Sequence, residues 1–484
     1  MADGRARRWT REAAPLVAGR AASAIAGILV PVVLARLLSP AQYGSFKQAF
    51  LIATTGAGFV QLGIYQSLYY FLPREPGGAR AYLVQANAYL TAAGLVAGVL
   101  LYAAGGPIAR MMHNPGLSRS LLPMALFCAF WTASVPLEHG LIAAGRLSRG
   151  GLAYVLSELT RVAVQVGAAR RYGTVEAILW ASAAFAIART ATSWIVALRS
   201  GRGPLWEKAR LSAQWRYSLP FGAAALLMIP QQSLHQYVVS AWVTPARFAI
   251  YAVGCLQLPI VELLYTPISD LMILRIGEAD RRGDADRARE SFREAVASLS
   301  GIFLPAAAGL WALAPAALPF VFGARYADAV PIFRLSVASL VLASFPVDGV
   351  LRARARKRFF FWAQVGKLGL TALFVVVGLR ALGLPGAVVG QVGAQALVVV
   401  LMLWESGRAL GATTRALLPW RRLVVGSLPA VAAGLAAGMA RPHLAHAPVS
   451  QMALASVLFA AVWGLALLAL RKARRSAAGA PGAI

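Results

Sequence analysis

The chain is poor in charge, in acidic residues and in cysteine. Only 13% of its 484 residues are charged, with 18 Asp and Glu against 47 Lys and Arg. The two cysteines, Cys128 and Cys255, show neither a pairing pattern nor the spacing of metal ligands, so we interpret them as free, small apolar fillers. Hydrophobic residues reach 59% and the mean hydropathy is +0.64. Because a water-soluble domain could not bury this much apolar surface, the composition predicts a polytopic membrane protein.

The sequence also lacks the motifs of ATP-driven transporters and hydrolases. It contains no GxxxxGK[ST] loop, no zinc-ligand pair and no nucleophile elbow. Its longest hydrophilic segment, about residues 275–293, is too short to form a catalytic domain. We therefore predict that the protein is not an enzyme and uses no cofactor and no metal site, so that its function depends on the helices and their short loops.

The apolar runs predict an all-α protein. A hydrocarbon core of about 30 Å requires about 20 apolar residues per helix, and the chain divides into about fourteen such runs. The predicted spans are residues 14–38, 44–71, 81–104, 119–142, 151–169, 175–197, 215–240, 247–270, 294–317, 328–350, 359–379, 385–407, 423–440 and 449–470.

The distribution of basic residues predicts the orientation of these spans. With a cytoplasmic N-terminus, about 31 of the 47 Lys and Arg lie in cytoplasmic loops and about 10 in the opposite loops. This bias places both termini in the cytoplasm of a bacterial inner membrane. The basic clusters at 275–290 and 352–358 are interpreted as anchors beside anionic lipid rather than as nucleic-acid sites. The N-terminus resembles the basic region of a signal peptide, but its apolar run is long enough to remain as the first span.

Two segments indicate an internal duplication. SPAQYGSF at 39–46 returns in altered form as TPARFAIY at 244–251, an offset of 205 residues. GLIAAGR at 140–146 resembles GVLRARAR at 349–356, again just before the next span. Duplicated helical bundles enclose a central cavity in many transporters. We predict two pseudo-symmetric six-helix lobes, residues 1–200 and 201–410, followed by two accessory spans and a basic tail, residues 411–484.

Ionisable groups in the spans are the best pointers to a site, because they usually face a bundle interior or a wet cavity. In the fifth span Tyr154, Glu158, Arg161 and Gln165 follow i, i+4, i+7, i+11 spacing and share one helical face. This polar seam predicts contact with a substrate. The alternative is a structural ion pair between Glu158 and Arg161.

Further cations lie at Arg20, Arg189 and Lys367. Cations that converge on a cavity suit an anionic head group such as a diphosphate, because a guanidinium binds two oxygens at once. For Arg20 and Arg189 the alternative is that the long side chains reach the cytoplasmic interface.

Other polar groups complete the candidate set. Gln61 and Tyr65 in the second span could stack on or hydrogen-bond sugars, although interfacial Tyr residues are common anchors. Gln231 and His235 in the seventh span are candidate substrate contacts, and a lone His is more often a packing residue. Glu262 and Asp270 in the eighth span could bind a coupling proton or sodium ion, unless Asp270 is solvated at the membrane edge.

The motif LARLLSPAQYGSF at 34–46 identifies a family. It resembles the first external turn, of the form AR-x-L-x-P-x-x-Y-G, of oligosaccharide flippases in the multidrug/oligosaccharidyl-lipid/polysaccharide exporter (MOP) superfamily. The residues that match are Ala35, Arg36, Leu38, Pro40, Tyr43 and Gly44. PARFAIYAVG at 245–254 and VFGARYADAV at 321–330 resemble the corresponding later turns.

The resemblance implies two lobes around a cationic cavity that opens alternately to either side. It implies translocation of a polyprenyl-diphosphate-linked oligosaccharide for polysaccharide biosynthesis, with coupling to an ion gradient proposed for some members. The implied partners are the lipid-linked oligosaccharide, membrane lipids, and the polysaccharide polymerase and chain-length machinery, without nucleic acid. Three alternatives stay open, namely an ion-coupled small-molecule antiporter, a polytopic glycan-processing enzyme, and a non-transporting scaffold.

Overall fold

The computed structural model describes residues 2–256 and 260–444, with residues 456–457, 460–461 and 463–464. Within these residues all regular elements are α- or 3₁₀-helices, so the predicted all-α fold is confirmed. Six helical segments are long and apolar enough to cross a membrane. They are Pro76–Met111, Pro115–Ala143, Val175–Leu198, Ala285–Phe322, Ala329–Ala353 and Lys357–Ala409. The predicted span 449–470 lies largely outside the described residues.

The chain forms two compact units, Met1–Ala249 and Ile250–Ile484. The predicted lobe boundaries after residues 200 and 410 remain a prediction. The helices of the first unit are α1 Ala2–Leu37, α2 Pro40–Gln61, α3 Ser67–Arg74, α4 Ala79–Met111, α5 Leu121–Ala133, α6 Pro136–Ala143, α7 Leu147–Tyr172, α8 Val175–Leu198 and α9 Lys208–Ser240. Helix α10, Pro245–Gly254, contains the division, and the second unit continues with α11 Ile260–Arg281, α12 Ala285–Phe322, α13 Ala329–Ser336, α14 Ala338–Leu342, α15 Val347–Ala353, α16 Lys357–Ala409, α17 Thr414–Leu417 and α18 Trp420–Leu444.

Several predicted spans are interrupted rather than continuous. The second span breaks after α2, where Leu62 and Gly63 both have positive φ, 43° and 69°. The fourth span breaks between α5 and α6, and the tenth breaks before α15. Pro136 opens α6 and Pro346 precedes α15. A proline lacks the N–H that would continue the preceding helix, which explains both breaks.

Backbone geometry confirms the internal duplication. Positive φ recurs at four pairs of positions that are each 210 residues apart (for the first pair, 323 minus 113). The pairs are His113 and Gly323, Gly145 and Ala355, Gly173 and Gly383, and Gly201 and Gly411. Helix α12 has 38 residues and α4 has 33, and these five extra residues account for the change of offset from 205 to 210.

The repeated SPAQYGSF and TPARFAIY segments are helix starts. Ser39 Oγ accepts a hydrogen bond from the Gln42 N–H at 3.3 Å, and Gln42 Oε1 accepts one from the Ser39 N–H at 3.0 Å. This capping box, with Pro40 in the first turn, fixes where α2 begins. The first turns of the two helices also match, because Tyr43 N–H donates to Ser39 O and Phe248 N–H donates to Thr244 O, at 2.8 and 2.9 Å.

Helix α16 is a hairpin of two arms. Its 53 residues reverse at Gly383, whose φ of 67° and ψ of −148° lie in a region open essentially to glycine alone. The two arms, before and after Gly383, correspond to the predicted eleventh and twelfth spans. By the 210-residue offset they are equivalent to α7 and α8 of the first unit, which meet at Gly173.

Close helix packing in the first unit depends on small residues. Ala53, Ala57, Ala125, Ala183 and Ala186 lie in one buried cluster formed by α2, α4, α5 and α8. A Cβ atom placed on Gly44 would lie 1.8 Å from Pro245 O, so α2 approaches the start of α10 at backbone contact distance. Small residues of this kind replace the hydrophobic driving force that is absent between helices in lipid.

Candidate functional site

An acidic residue follows each of the two proline breaks in the fourth and tenth spans. The segments read SVPLE at 134–138 and SFPVD at 344–348, which are again 210 residues apart. Glu138 lies in the first turn of α6 and Asp348 in the first turn of α15. The partial positive charge at a helix N-terminus favours a carboxylate there. Each unit therefore holds one acid at an equivalent place inside its helical bundle.

In the first unit Glu138 is fully buried and saturated by partners. Arg189 of α8 forms an ion pair with its carboxylate, and Ser157 Oγ of α7 donates to Oε1 at 2.9 Å. Arg189 also donates from Nη1 to Ser134 Oγ at 2.9 Å, and its guanidinium lies 4.9 Å from the Trp131 ring centroid. The Arg189 side chain is 9% exposed. This pair fixes α6, α7 and α8 to one another, and the predicted substrate contact of Arg189 remains a prediction.

In the second unit Asp348 has partners but remains accessible. Tyr265 of α11 donates a hydrogen bond from its hydroxyl to Oδ1, and Arg352, one turn along α15, pairs with Oδ2. The Asp348 side chain is 23% exposed and lines a cavity of about 280 Å³, together with Gln364 and Lys367 of α16. The predicted site residue Lys367 thus lies beside an acid that belongs to the repeated pair.

The predicted polar seam of α7 is present. Arg161 binds Glu158 Oε2 through Nε at 3.0 Å and Nη2 at 2.5 Å, and Ser23 Oγ of α1 donates to Glu158 Oε1 at 3.2 Å. Gln165 is buried and donates to Ser182 Oγ of α8 at 3.0 Å. These contacts show the ion pair that the spacing predicted, and they connect α7 to α1 and α8.

Aromatic rings collect around His139, which follows Glu138. The Tyr65 ring lies 4.6 Å from the His139 ring, Tyr69 lies 5.9 Å away and Tyr154 lies 6.3 Å away, all edge to face. The His139 ring nitrogen Nδ1 is 2.9 Å from Val135 O. The structure therefore brings the predicted sugar contact Tyr65 together with Tyr154 of the seam, on the side of α6 next to the buried acid.

Comparison with known proteins was decisive at the level of family. A family model described as "Polysaccharide biosynthesis protein" matches residues 33–331, more than half of the chain. The chain belongs to the polysaccharide biosynthesis protein family. The resemblance inferred from LARLLSPAQYGSF is thereby confirmed. No curated protein matches the chain.

Solved structures show that this family member has the fold of MOP transporters. The lipid II flippase MurJ in an inward closed conformation is similar with a TM-score of 0.72 and 12% identity, over 95% of this chain and 98% of MurJ. An inward-facing multidrug resistance MATE transporter gives 0.63 and 15%, over 81% of this chain and 95% of the other. A MOP superfamily transporter from Pyrococcus furiosus gives 0.52 and 15%, over 83% and 95%. These proteins are flippases or transporters, and the chain is a multi-pass membrane protein of their fold.

The remaining predicted residues of the polysaccharide biosynthesis protein are dispersed. Gln61 ends α2 and is half-buried, as is Gln231 in α9, whereas His235 is buried in α9. Asp270 lies exposed on α11. The side chains of Arg20 and Glu262 lie outside the described part of the chain. Among the residues that are described, no group of three or more His, Cys, Asp or Glu is placed to hold a metal ion.

Sequence reasoning missed Glu138, the fully buried acid of the first unit. A search for ionisable groups at helical spacing passes over it, because it lies one turn from a proline break and shares no face with other charges. The signal that finds it is the repeat itself. Aligning SVPLE with SFPVD at the offset of the second echo, 140–146 with 349–356, places Glu138 opposite Asp348.

Proposed function

We propose that this protein translocates a polyprenyl-diphosphate-linked oligosaccharide across the bacterial cytoplasmic membrane by alternating access. Membership of the polysaccharide biosynthesis protein family carries this proposal, and the MurJ-like and MATE-like fold supports it. The sugar hydroxyls and the diphosphate cannot cross hydrocarbon without a polar path, because each unpaired polar group costs several kcal/mol there, about 4–8 on a cyclohexane scale. The polyprenyl tail would stay in lipid while the head group crosses between the units.

The polar interiors of the two units are consistent with this path. Arg161 is half-buried and Lys367 lines a cavity, so both are proposed to contact the anionic head group, together with Arg20. Tyr65 and Gln61 are proposed to contact the sugars, with Glu158 and Gln165 supporting Arg161. Gln231 and His235 are proposed as further contacts on α9, and Glu262 and Asp270 as sites for a coupling ion. Polysaccharide polymerase and chain-length machinery are the proposed protein partners.

A leaflet assay in the host tests the function directly. The gene is deleted, polyprenyl-linked glycans are extracted, and an impermeant sugar-oxidising probe reports which leaflet holds them. Complete units should accumulate on the cytoplasmic face and return to the outer face on complementation. Normal exposure of complete units on the outer face of the deletion strain would contradict the proposal.

A small-molecule antiporter is the second candidate, because the fold also matches a multidrug resistance MATE transporter at a TM-score of 0.63. Efflux of labelled cationic compounds from cells that express the protein separates the two functions. The flippase proposal expects efflux equal to that of cells with the empty vector. Efflux that depends on the protein, in a strain whose glycans are exposed normally, would favour the antiporter.

A further inference from the structure

The second unit contains a polar cavity that has no open counterpart among the polar contacts of the first unit. It measures about 280 Å³, and its polar lining comes from three helices, with Tyr265 on α11, Asp348 on α15, and Gln364, Lys367 and Gln395 on α16. Polar groups directed into one small cavity within a membrane-embedded bundle are typical of a binding site, because such groups are costly to keep there without use.

The 210-residue offset shows how the two repeats differ at this place. The acid is retained, as Glu138 in one unit and Asp348 in the other, while four neighbouring positions change. Written with the first unit before the second, they are Tyr154 and Gln364, Ser157 and Lys367, Phe185 and Gln395, and Arg189 and Val399.

These replacements open the cavity and change its charge. Two aromatic rings become amides, and the guanidinium that saturates Glu138 becomes Val399, which lines the cavity wall. Asp348 is instead paired with Arg352 of its own helix. Lys367 therefore brings a positive charge that no carboxylate matches, because none of the described Asp or Glu residues lies within ion-pair distance of its ammonium.

Two of the lining groups have unused hydrogen-bonding capacity. Across the described residues, neither the Lys367 ammonium nor the Gln395 amide makes a hydrogen bond to the protein. The ammonium has three donors, and the amide has both donors and an acceptor. A ligand that fits must supply an anionic acceptor for the lysine and hydroxyl groups for the amides, the phenol and the carboxylate.

We propose that this cavity binds a sugar that carries a carboxylate, as one residue of the translocated oligosaccharide. The inference rests on the proposed function and adds a class of cargo to it, namely glycans that contain an acidic sugar. A cavity of about 280 Å³ admits one monosaccharide rather than a whole oligosaccharide. A lysine binds a single carboxylate as a point charge, whereas bidentate phosphate binding favours a guanidinium, and Arg352 is already engaged by Asp348.

Saturation-transfer NMR on the purified full-length protein in detergent tests the proposal. The probes are methyl glucuronide, methyl glucoside and inorganic diphosphate. The variants are Lys367→Met, which removes the charge, and Gln395→Phe, which restores the first-unit residue and fills the cavity. Lys357→Met is the matched control, because this lysine is exposed at the start of the same helix. Size-exclusion elution and thermal unfolding confirm that each variant is folded.

Methyl glucuronide should bind, and methyl glucoside about tenfold more weakly, as expected when a charge-assisted hydrogen bond is lost. Lys367→Met and Gln395→Phe should weaken the glucuronide signal, whereas Lys357→Met should leave it unchanged. Equal signals from the two glycosides, or wild-type binding by a folded Lys367→Met protein, would overturn the proposal. Stronger displacement of the glucuronide by diphosphate than by unlabelled glucuronide would assign the cavity to the phosphates of the lipid carrier instead.

The binding experiment and the leaflet assay fail independently. If complete glycans reach the outer leaflet in the deletion strain but the cavity binds glucuronide, the acidic-sugar site stands and the flippase function is lost. If glycans accumulate inside but the cavity binds no glucuronide, the flippase stands and this subsite is lost.

Discussion

Single residues show how strongly burial decides the role of a charge. The side chains of Glu138 and Asp348 stand at equivalent positions in the two repeats, yet the first is 0% and the second 23% exposed. A fully buried carboxylate must be matched by a cation and by hydrogen bonds, which Arg189 and Ser157 supply. An accessible carboxylate can exchange partners with a ligand.

Removal of one partner from the buried pair should be costly. We expect Glu138→Ala to lower the free energy of unfolding by about 3 kcal/mol or more, because Arg189 would remain charged and unpaired in the bundle. Thermal or denaturant unfolding of the purified protein in detergent measures this loss. The matched control is Glu294→Ala, since Glu294 pairs with Arg275 and the two side chains are 38% and 41% exposed.

The control should change stability by less than about 1 kcal/mol. A double variant, Glu138→Leu with Arg189→Met, should recover most of the loss, because it removes both charges together. Equal unfolding of Glu138→Ala and the wild type would show that Arg189 finds another counter-charge or water.

A methyl group at Gly44 should disrupt the packing of α2 against the start of α10. The added Cβ would lie 1.8 Å from Pro245 O, which backbone movement alone can relieve. We expect Gly44→Ala to reduce the yield of folded protein in the membrane and to abolish any complementation of the deletion strain. Gly27→Ala in α1 is the control, because no atom lies within 4 Å of the added Cβ.

Gly27→Ala should be neutral or slightly stabilising, by up to about 1 kcal/mol, because alanine favours the helix. Wild-type yield and complementation by Gly44→Ala would mean that α2 and α10 are not in this contact in the membrane.

At the scale of helices, the cytoplasmic end of α12 holds the connection to α18. Arg289 donates from Nε to Leu410 O at 3.0 Å and from Nη2 to Gly411 O at 3.2 Å. Arg293 donates to Ala416 O at 2.6 Å. These carbonyls lie at the ends of α16 and α17, where no intrahelical N–H reaches them. Part of a basic cluster that the sequence predicts to be a lipid anchor therefore also binds the protein's own backbone.

Loss of these hydrogen bonds should loosen the connector. We expect Arg289→Lys to increase the rate of tryptic cleavage at Arg415 and Arg421 about tenfold in the detergent-solubilised protein, since charge-assisted hydrogen bonds contribute about 1.5–3 kcal/mol. Arg287→Lys is the control, because Arg287 is exposed on the same turn. Cleavage at the wild-type rate in Arg289→Lys would show that other contacts hold the segment.

The sequence predicted helices well and their interruptions poorly. Hydrophobic length locates a span, because the bilayer fixes how many apolar residues are needed. The breaks at Leu62 and Gly63, and before Pro136, lie within apolar runs that satisfy the same rule. The Glu158 and Arg161 pair was predictable from helical spacing, whereas the pairing of Glu138 with Arg189 joins residues 51 positions apart and depends on tertiary packing.

At the scale of the whole molecule, the charge bias predicts an orientation that labelling can test. In a background without Cys128 and Cys255, we expect His113→Cys to react with an impermeant maleimide in intact cells, because the turn after α4 is predicted to face the periplasm. Arg282→Cys, in the turn after α11, should react only after the cells are permeabilised. The reverse pattern would place both termini outside.

The repeat at 210 residues has a consequence for how such proteins diversify. Two copies of one bundle can be selected for different ends, with the copy that contains Glu138 and Arg189 kept by folding and the copy that contains Asp348 open to change. Substitutions that adapt a descendant to a new glycan should then accumulate around Gln364, Lys367 and Gln395, and be rare at Tyr154, Ser157 and Phe185. Evolutionary rates at matched positions of the two halves would thus record the history of the cargo.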